Sequence, residues 1–244
     1  MSGFEITTTI DVSRALNLCE TVLRQLPFAT AKALTRTAQL IKAAEVDEMR
    51  RVFDRPTPWT LNSVFITPAT KDNLIARVWL KQDAAKGTPA AKYLLSEIFG
   101  GPRSLKRSER ALELRGLLPS GDYVAPGKAV QLDSYGNISA GTITSILSKL
   151  QAFGESGYLA NETIRSKRMN ANKREYFVGR PGGGRLPLGV WQRTANGVKP
   201  ILIDVRKPEY HQRFDFFGLA RQVIDSRFVA FFNEELANSI RTAR

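Results

Sequence analysis

The chain has 244 residues, enough for one large domain or two small ones, and 43% of them are hydrophobic, so a real core can form. It carries 36 Lys and Arg against 23 Asp and Glu, a formal net charge of +13, which favours polyanionic partners but says nothing about fold. One cysteine, Cys19, and one histidine, His211, exclude an intrachain disulfide, a Cys-based zinc site and a paired-histidine metal motif. The first residues lack a basic stretch followed by an apolar core, and no apolar run approaches the roughly 20 residues that span a bilayer. The expectation is a soluble protein made in a cytoplasm, with no membrane partner.

Phe4, Ile6, Thr8 and Ile10 alternate with polar residues and predict a strand over 4–11. Ser13 can cap a helix to about Arg24, with Leu16, Cys19, Val22 and Leu23 inward and Cys19 a small buried apolar residue. A second, longer helix is expected over 27–54, with Pro27 in its first turn. Its inward stripe is Ala31, Leu34, Ala38, Ile41, Glu45, Met49 and Val52, in which only Glu45 is polar. Pro56 and Pro58 break it. The segment RPTPWTLNSVFITPAT then reads as a loop, and a strand follows over 73–81, its Leu74, Ala76, Val78 and Leu80 on one face and Ile75, Arg77, Trp79 and Lys81 on the other.

From residue 84 to 175 the texture changes. AAKYLLSEIF reads as a short amphipathic helix, and Leu105 to Gly116 can hold another. The stretch from Leu117 to Ser139 is rich in turn signals, and a helix through Ile143, Ile146, Leu147 and Leu150 can start at Ser139 or Thr142. Strand patterns return at 176–179, 188–194 and 199–206. Asn196-Gly197 marks a hairpin, and Pro200 is expected at a strand start or edge. A final helix over 214–242 carries Phe217, Ala220, Ile224, Phe228, Phe231 and Leu236 near one stripe, widened by Phe216, Val223 and Phe232. It must be well buried or meet a partner. The resulting expectation is an α+β fold: a small, mostly antiparallel sheet covered by two long helices, built from 1–83 and 176–244, with a large helical and loop-rich insertion at 84–175.

Few residues suggest chemistry. RPGGGR at 180–185 lacks the Lys-Ser or Lys-Thr of a phosphate loop and reads as a strand connection. Asp133 to Asn137 resembles a calcium loop only faintly, since Thr144 stands where the twelfth-position Glu belongs, so a tight turn is expected. His211 has no obvious nucleophile or orienting partner, and the acidic pairs Asp47-Glu48 and Glu234-Glu235 are expected on exposed helix faces. No catalytic residue, cofactor or metal is therefore expected. The charge is concentrated after residue 83, with net +6 over 84–175 and +5 over 176–244 against +2 before. Arg103, Lys106, Arg107 and Arg110 recur at helical steps and predict one positive stripe, and Arg165, Lys167, Arg168, Lys173 and Arg174 form a second cluster. Either can contact DNA phosphates without reading bases, or an acidic neighbouring subunit. The aromatics do not interleave with these runs, as a single-strand stacking platform requires. Trp59 and Phe65, in a loop with few charges, are expected as subunit-interface anchors or as caps on their own core.

Several stretches, taken together, resemble a family of tailed-bacteriophage and prophage virion proteins, the minor tail protein Z or tail-completion group. They are LPFATAKALTRTAQLIKAAEVDEMRRVFDRPTPWTLNSVFITPAT, IFGGPRSLKRSERALELRGLLP, LDSYGNISAGTITSILS, YFVGRPGGGRLPLGVWQR and RFDFFGLARQVIDSRF. The resemblance runs from about residue 27 to the end. The insertion at 84–175 departs from the shorter tail-completion and head–tail joining proteins. The resemblance implies a non-enzymatic structural subunit of a phage neck or tail. Such a subunit would be made in the host cytoplasm and sit in the virion, in a ring with copies of itself and with connector or tail-tube proteins, near packaged DNA. The alternative is a basic nucleic-acid-binding protein acting on phage DNA.

Overall fold

A computed structural model describes residues 13–85, 87–154, 161–169 and 175–243. In chain order the elements are α1 (Ser13–Val52), α2 (Pro58–Leu61), β1 (Val64–Thr67), β2 (Arg77–Leu80), α3 (Ala90–Phe99), β3 (Gly101–Pro102), α4 (Arg107–Leu114), β4 (Tyr123–Pro126), α5 (Ala140–Lys149), α6 (Ile164–Met169), β5 (Glu175–Gly179), β6 (Gly189–Thr194), β7 (Gly197–Val205), β8 (Glu209–Tyr210) and α7 (Phe216–Thr242). The class is α+β, and every strand pairing among the described residues is antiparallel. The strands do not share one sheet. They form the pairs β1–β2 and β3–β8 and a four-stranded sheet in the order β4-β7-β6-β5. The strand expected over 4–11 lies outside the described residues.

The chain divides into two compact units: residues 1–52, 58–84 and 214–244, and residues 53–57 with 85–213. The first is built on α1 and α7. Arg36 meets Glu234 and Glu235 near the end of α7, while Asp215 at its start acts on Glu45 further along α1, so the two helices run antiparallel. Ala29, Ala31, Ala33 and Ala38 are buried, and such small side chains let a partner helix approach closely. Ile41, Glu45, Met49, Val64, Leu80, Phe214 and Phe216 complete this core. The inward stripe of α1 is therefore as its period predicts from Ala31 onward.

The start of α1 is not as expected. No break occurs at Pro27, and Ser13 to Val52 is one helix of 40 residues, about 60 Å long. A proline inside a helix removes one i→i−4 hydrogen bond without forcing a stop. Of the residues expected inward before Pro27, Leu16, Cys19 and Leu23 are exposed and Val22 is half-buried. The loop expected at 55–70 also holds structure, because Val64–Thr67 pairs with Arg77–Leu80 as a short antiparallel ladder. Its inner face is Val64 and Leu80.

The second unit explains why residues 176–213 do not belong with the long helices. One core joins Leu112 and Leu118, Ile146, Leu147 and Ala152 to Tyr176, Val190, Ile201 and Leu202. Residues of the supposed insertion thus share one buried core with β5–β7. Strand β4, inside the turn-rich stretch, adds to the edge of β7 with Tyr123 opposite Val205 and Pro126 opposite Leu202. Ser139 caps α5, accepting from the Thr142 N–H at 3.1 Å, and Asp133 closes the expected tight turn through the N–H groups of Tyr135 and Asn137. Pro200 lies near the start of β7, beyond Leu202 where the β4 ladder ends, so β6 is the one strand that flanks it among the described residues. The β6–β7 register shifts after Val190 with Ile201 as the extra residue, and the Ala129 N–H donates to the Pro200 carbonyl, so no ladder donor is required of Pro200. The β6–β7 hairpin closes with Thr194 opposite Gly197, which leaves Ala195 and Asn196 as its loop.

Candidate functional site

The first basic cluster does not form one stripe. Arg103 precedes α4 and turns inward, and its guanidinium grips the buried Glu109 carboxylate with two bonds, 2.7 and 2.5 Å long. The same guanidinium lies over the Tyr123 ring at 4.6 Å, and the Tyr123 hydroxyl donates to the Arg103 carbonyl at 2.7 Å. Glu109 also accepts from the backbone N–H groups of Lys106 (2.6 Å) and Val124 (3.1 Å). Burial alone raises the pKa of this carboxyl, but the Arg103 fork and the two backbone donors outweigh it and hold it below the ordinary range. Arg103 is thus a structural strut between α4 and β4 and is not free for phosphate. Lys106, Arg107 and Arg110 remain exposed at the start of α4. In the second cluster Arg165 and Arg168 are exposed on α6. The side chain of Lys167, and Lys173 and Arg174 altogether, lie outside the described residues.

Trp59 is exposed on α2, and Phe65 is 37% exposed on β1. Phe65 has a companion that sequence reading passed over. Trp79 stands directly opposite it across the ladder, with ring centroids 5.5 Å apart. Two residues along, Thr67 stands opposite Arg77, and the Trp79 indole N–H donates to the Thr67 hydroxyl at 3.3 Å. Lys42 from α1 and Lys81 lie over the Phe65 ring at 5.7 and 5.5 Å. Aromatic and basic side chains therefore do interleave, on the outer face of β1–β2. The signal was the alternation Arg77, Trp79, Lys81, legible once that face is known to be the open one.

The helical unit carries a second kind of surface. Leu16 and Leu23 on α1 are 60% and 67% exposed, and Phe217 and Val229 on α7 are 60% and 63% exposed. A groove of about 500 Å³ runs between α1 and the loop at 68–71, tied by the Ala69 N–H donating to the Thr35 hydroxyl at 3.1 Å. Lys32 and Lys71 lie over Phe28 there, and Arg36 stacks on Phe231 at 4.2 Å. Glu235, expected on an exposed face, is buried and pairs with Lys32 and Arg36.

Deep between the helices sits Glu45, fully buried, neither oxygen hydrogen-bonded among the described residues. Burial first, and then the nearby Glu48 and Asp215 charges, push its pKa up to about 8. His211 is exposed beside β8, and the glycine-rich connection between β5 and β6 takes a left-handed backbone at Gly182, Gly183 and Gly184. No helix among the described residues is long and apolar enough to cross a membrane. Compared with family models, curated proteins and solved structures, the chain matches none.

Proposed function

We propose that this chain is a structural subunit completed by assembly, serving in the neck or tail of a tailed bacteriophage as a tail-completion or head–tail joining component. The observation that carries the assembly reading is the exposed apolar surface of the long helices: Leu16, Leu23, Ile224 and Val229 all face outward. Burying such side chains against a neighbour is favourable, and apolar helix faces are typical of interfaces that form permanently. The phage assignment rests on the resemblance of the stretches quoted above. Partners in this reading are copies of the chain in a ring and neighbouring connector or tail-tube proteins. Lys106, Arg107, Arg110, Arg165 and Arg168 supply sequence-independent contact with packaged DNA or with an acidic neighbour.

The test is the mass of the purified protein in solution, alone and with Leu23→Glu or Val229→Glu. The wild type is expected to self-associate and each variant to shift toward monomer while keeping its helical signal. Particles made with Leu23→Glu are expected to accumulate as separate heads and tails. A strictly monomeric wild type, or normal particles from both variants, would defeat the reading.

A further inference from the structure

We infer that the outer face of β1–β2 is a binding platform for single-stranded nucleic acid. Period-two geometry puts Phe65, Thr67, Arg77 and Trp79 on that face, with Lys81 continuing it and Lys42 reaching over from α1. None of these six residues is acidic. Among the described residues Lys42, Arg77 and Lys81 take part in no ion pair, so all three charges are available to a polyanion.

The two rings differ in role. Both lysines lie over Phe65, which anchors them beside the platform. Trp79 carries no described cation on its ring. Its N–H is held by Thr67 and one side is braced by Phe65 at a 33° tilt, so the indole is fixed in place and still 38% exposed. A fixed, half-open indole flanked by cations suits an unpaired base stacked on the ring with its phosphates on the lysines and Arg77. Duplex DNA fits less well, because its bases are already stacked and offer the indole no face. The charge decides the occupant: an apolar protein partner would have to bury three cations without counter-charges, which is expensive. This inference does not rest on the assembly reading, whose test lies on α1 and α7.

The experiment measures binding of the full-length protein to labelled oligo(dT) and oligo(U) of about 15 nucleotides, and to a duplex of similar length, by anisotropy across a salt series. Both single strands are expected to bind, since stacking and phosphate contact do not read the sugar. Trp79→Ala is expected to weaken single-strand binding about tenfold and leave duplex binding within about twofold, while Trp79→Phe keeps most of the affinity. Replacing Lys42, Arg77 and Lys81 by Gln together is expected to reduce the single-strand salt slope by about 2. The inference is overturned if Trp79→Ala leaves oligo(dT) affinity unchanged, or weakens strand and duplex alike. It is also overturned if the change alters self-association while nucleic-acid binding persists, which would make the face a protein interface. Should Trp79→Ala fail to fold, the triple Gln variant decides, and an unchanged salt slope counts against the platform.

Discussion

Arg103 and Glu109 form a two-pronged ion pair at the start of α4, with Glu109 fully buried and Arg103 nearly so. Removing one member of a buried pair strands the other, which typically costs about 3–5 kcal/mol. Arg103→Ala is therefore expected to destabilise the protein by that amount in denaturant melts, and Arg107→Gln with Arg110→Gln, both exposed, to change stability by less than about 0.5 kcal/mol. Because the folded carboxyl titrates below its usual 4.5, the stability it brings is present above that pH and is lost as pH falls further. Equal effects of the inner and outer arginines on stability would contradict this division of roles.

Glu45 predicts the opposite pH dependence. Its folded pKa of about 8 lies above the ordinary 4.5, so the folded state holds a proton that the unfolded chain releases. Stability from this site is complete below about pH 4.5, declines as pH rises toward 8, and is flat beyond. Glu45→Met should abolish that decline and raise stability at pH 7 by about 3 kcal/mol, since no unpaired oxygens remain in the core. Thermal melts between pH 5 and pH 9 test it. A variant no more stable than wild type at pH 7 would show that the carboxyl is paired in solution.

Residues 85–213 should fold without the long helices. Their core is internal, from Leu112 through Ile146 to Leu202. The fragment is expected to unfold cooperatively, and its amide spectrum to be dispersed. Deleting 84–175, by contrast, removes Leu112, Leu118, Ile146 and Leu147 from beneath β5–β7 and should leave an insoluble product. A soluble, cooperative deletion protein would restore the partition at residue 175.

Gly189 is held by space. A Cβ there would lie 2.3 Å from the Leu202 carbonyl oxygen of β7, a backbone atom that cannot swing aside. Gly189→Ala should push β6 from β7 and cost about 2 kcal/mol or more in a urea melt. Gly183→Ala, in the loop with nothing within 4 Å, meets no such clash and bears only the strain of its left-handed φ of 66°.

Period alone determined the local elements. The stripe from Ala31 to Met49, the helix at 90–99, the Ser139 cap, the Asp133 turn and the strands near 176, 190 and 202 were all legible, because side-chain alternation and capping are properties of neighbours in sequence. Glu45 was also visible as the one polar residue on its stripe, though not that it would lie unpaired. Tertiary structure decided the rest. Whether Pro27 starts a helix or sits within one depends on what continues on either side of it. Whether Arg103 is a surface cation or a strut depends on β4, twenty residues away, bringing Tyr123 to Arg103 and the Val124 N–H to Glu109. The membership of β5–β7 followed from shared burial with α4 and α5, which no local pattern encodes. The platform on β1–β2 likewise needed the ladder: Phe65 and Trp79 are fourteen residues apart in sequence and become neighbours only when register sets them face to face.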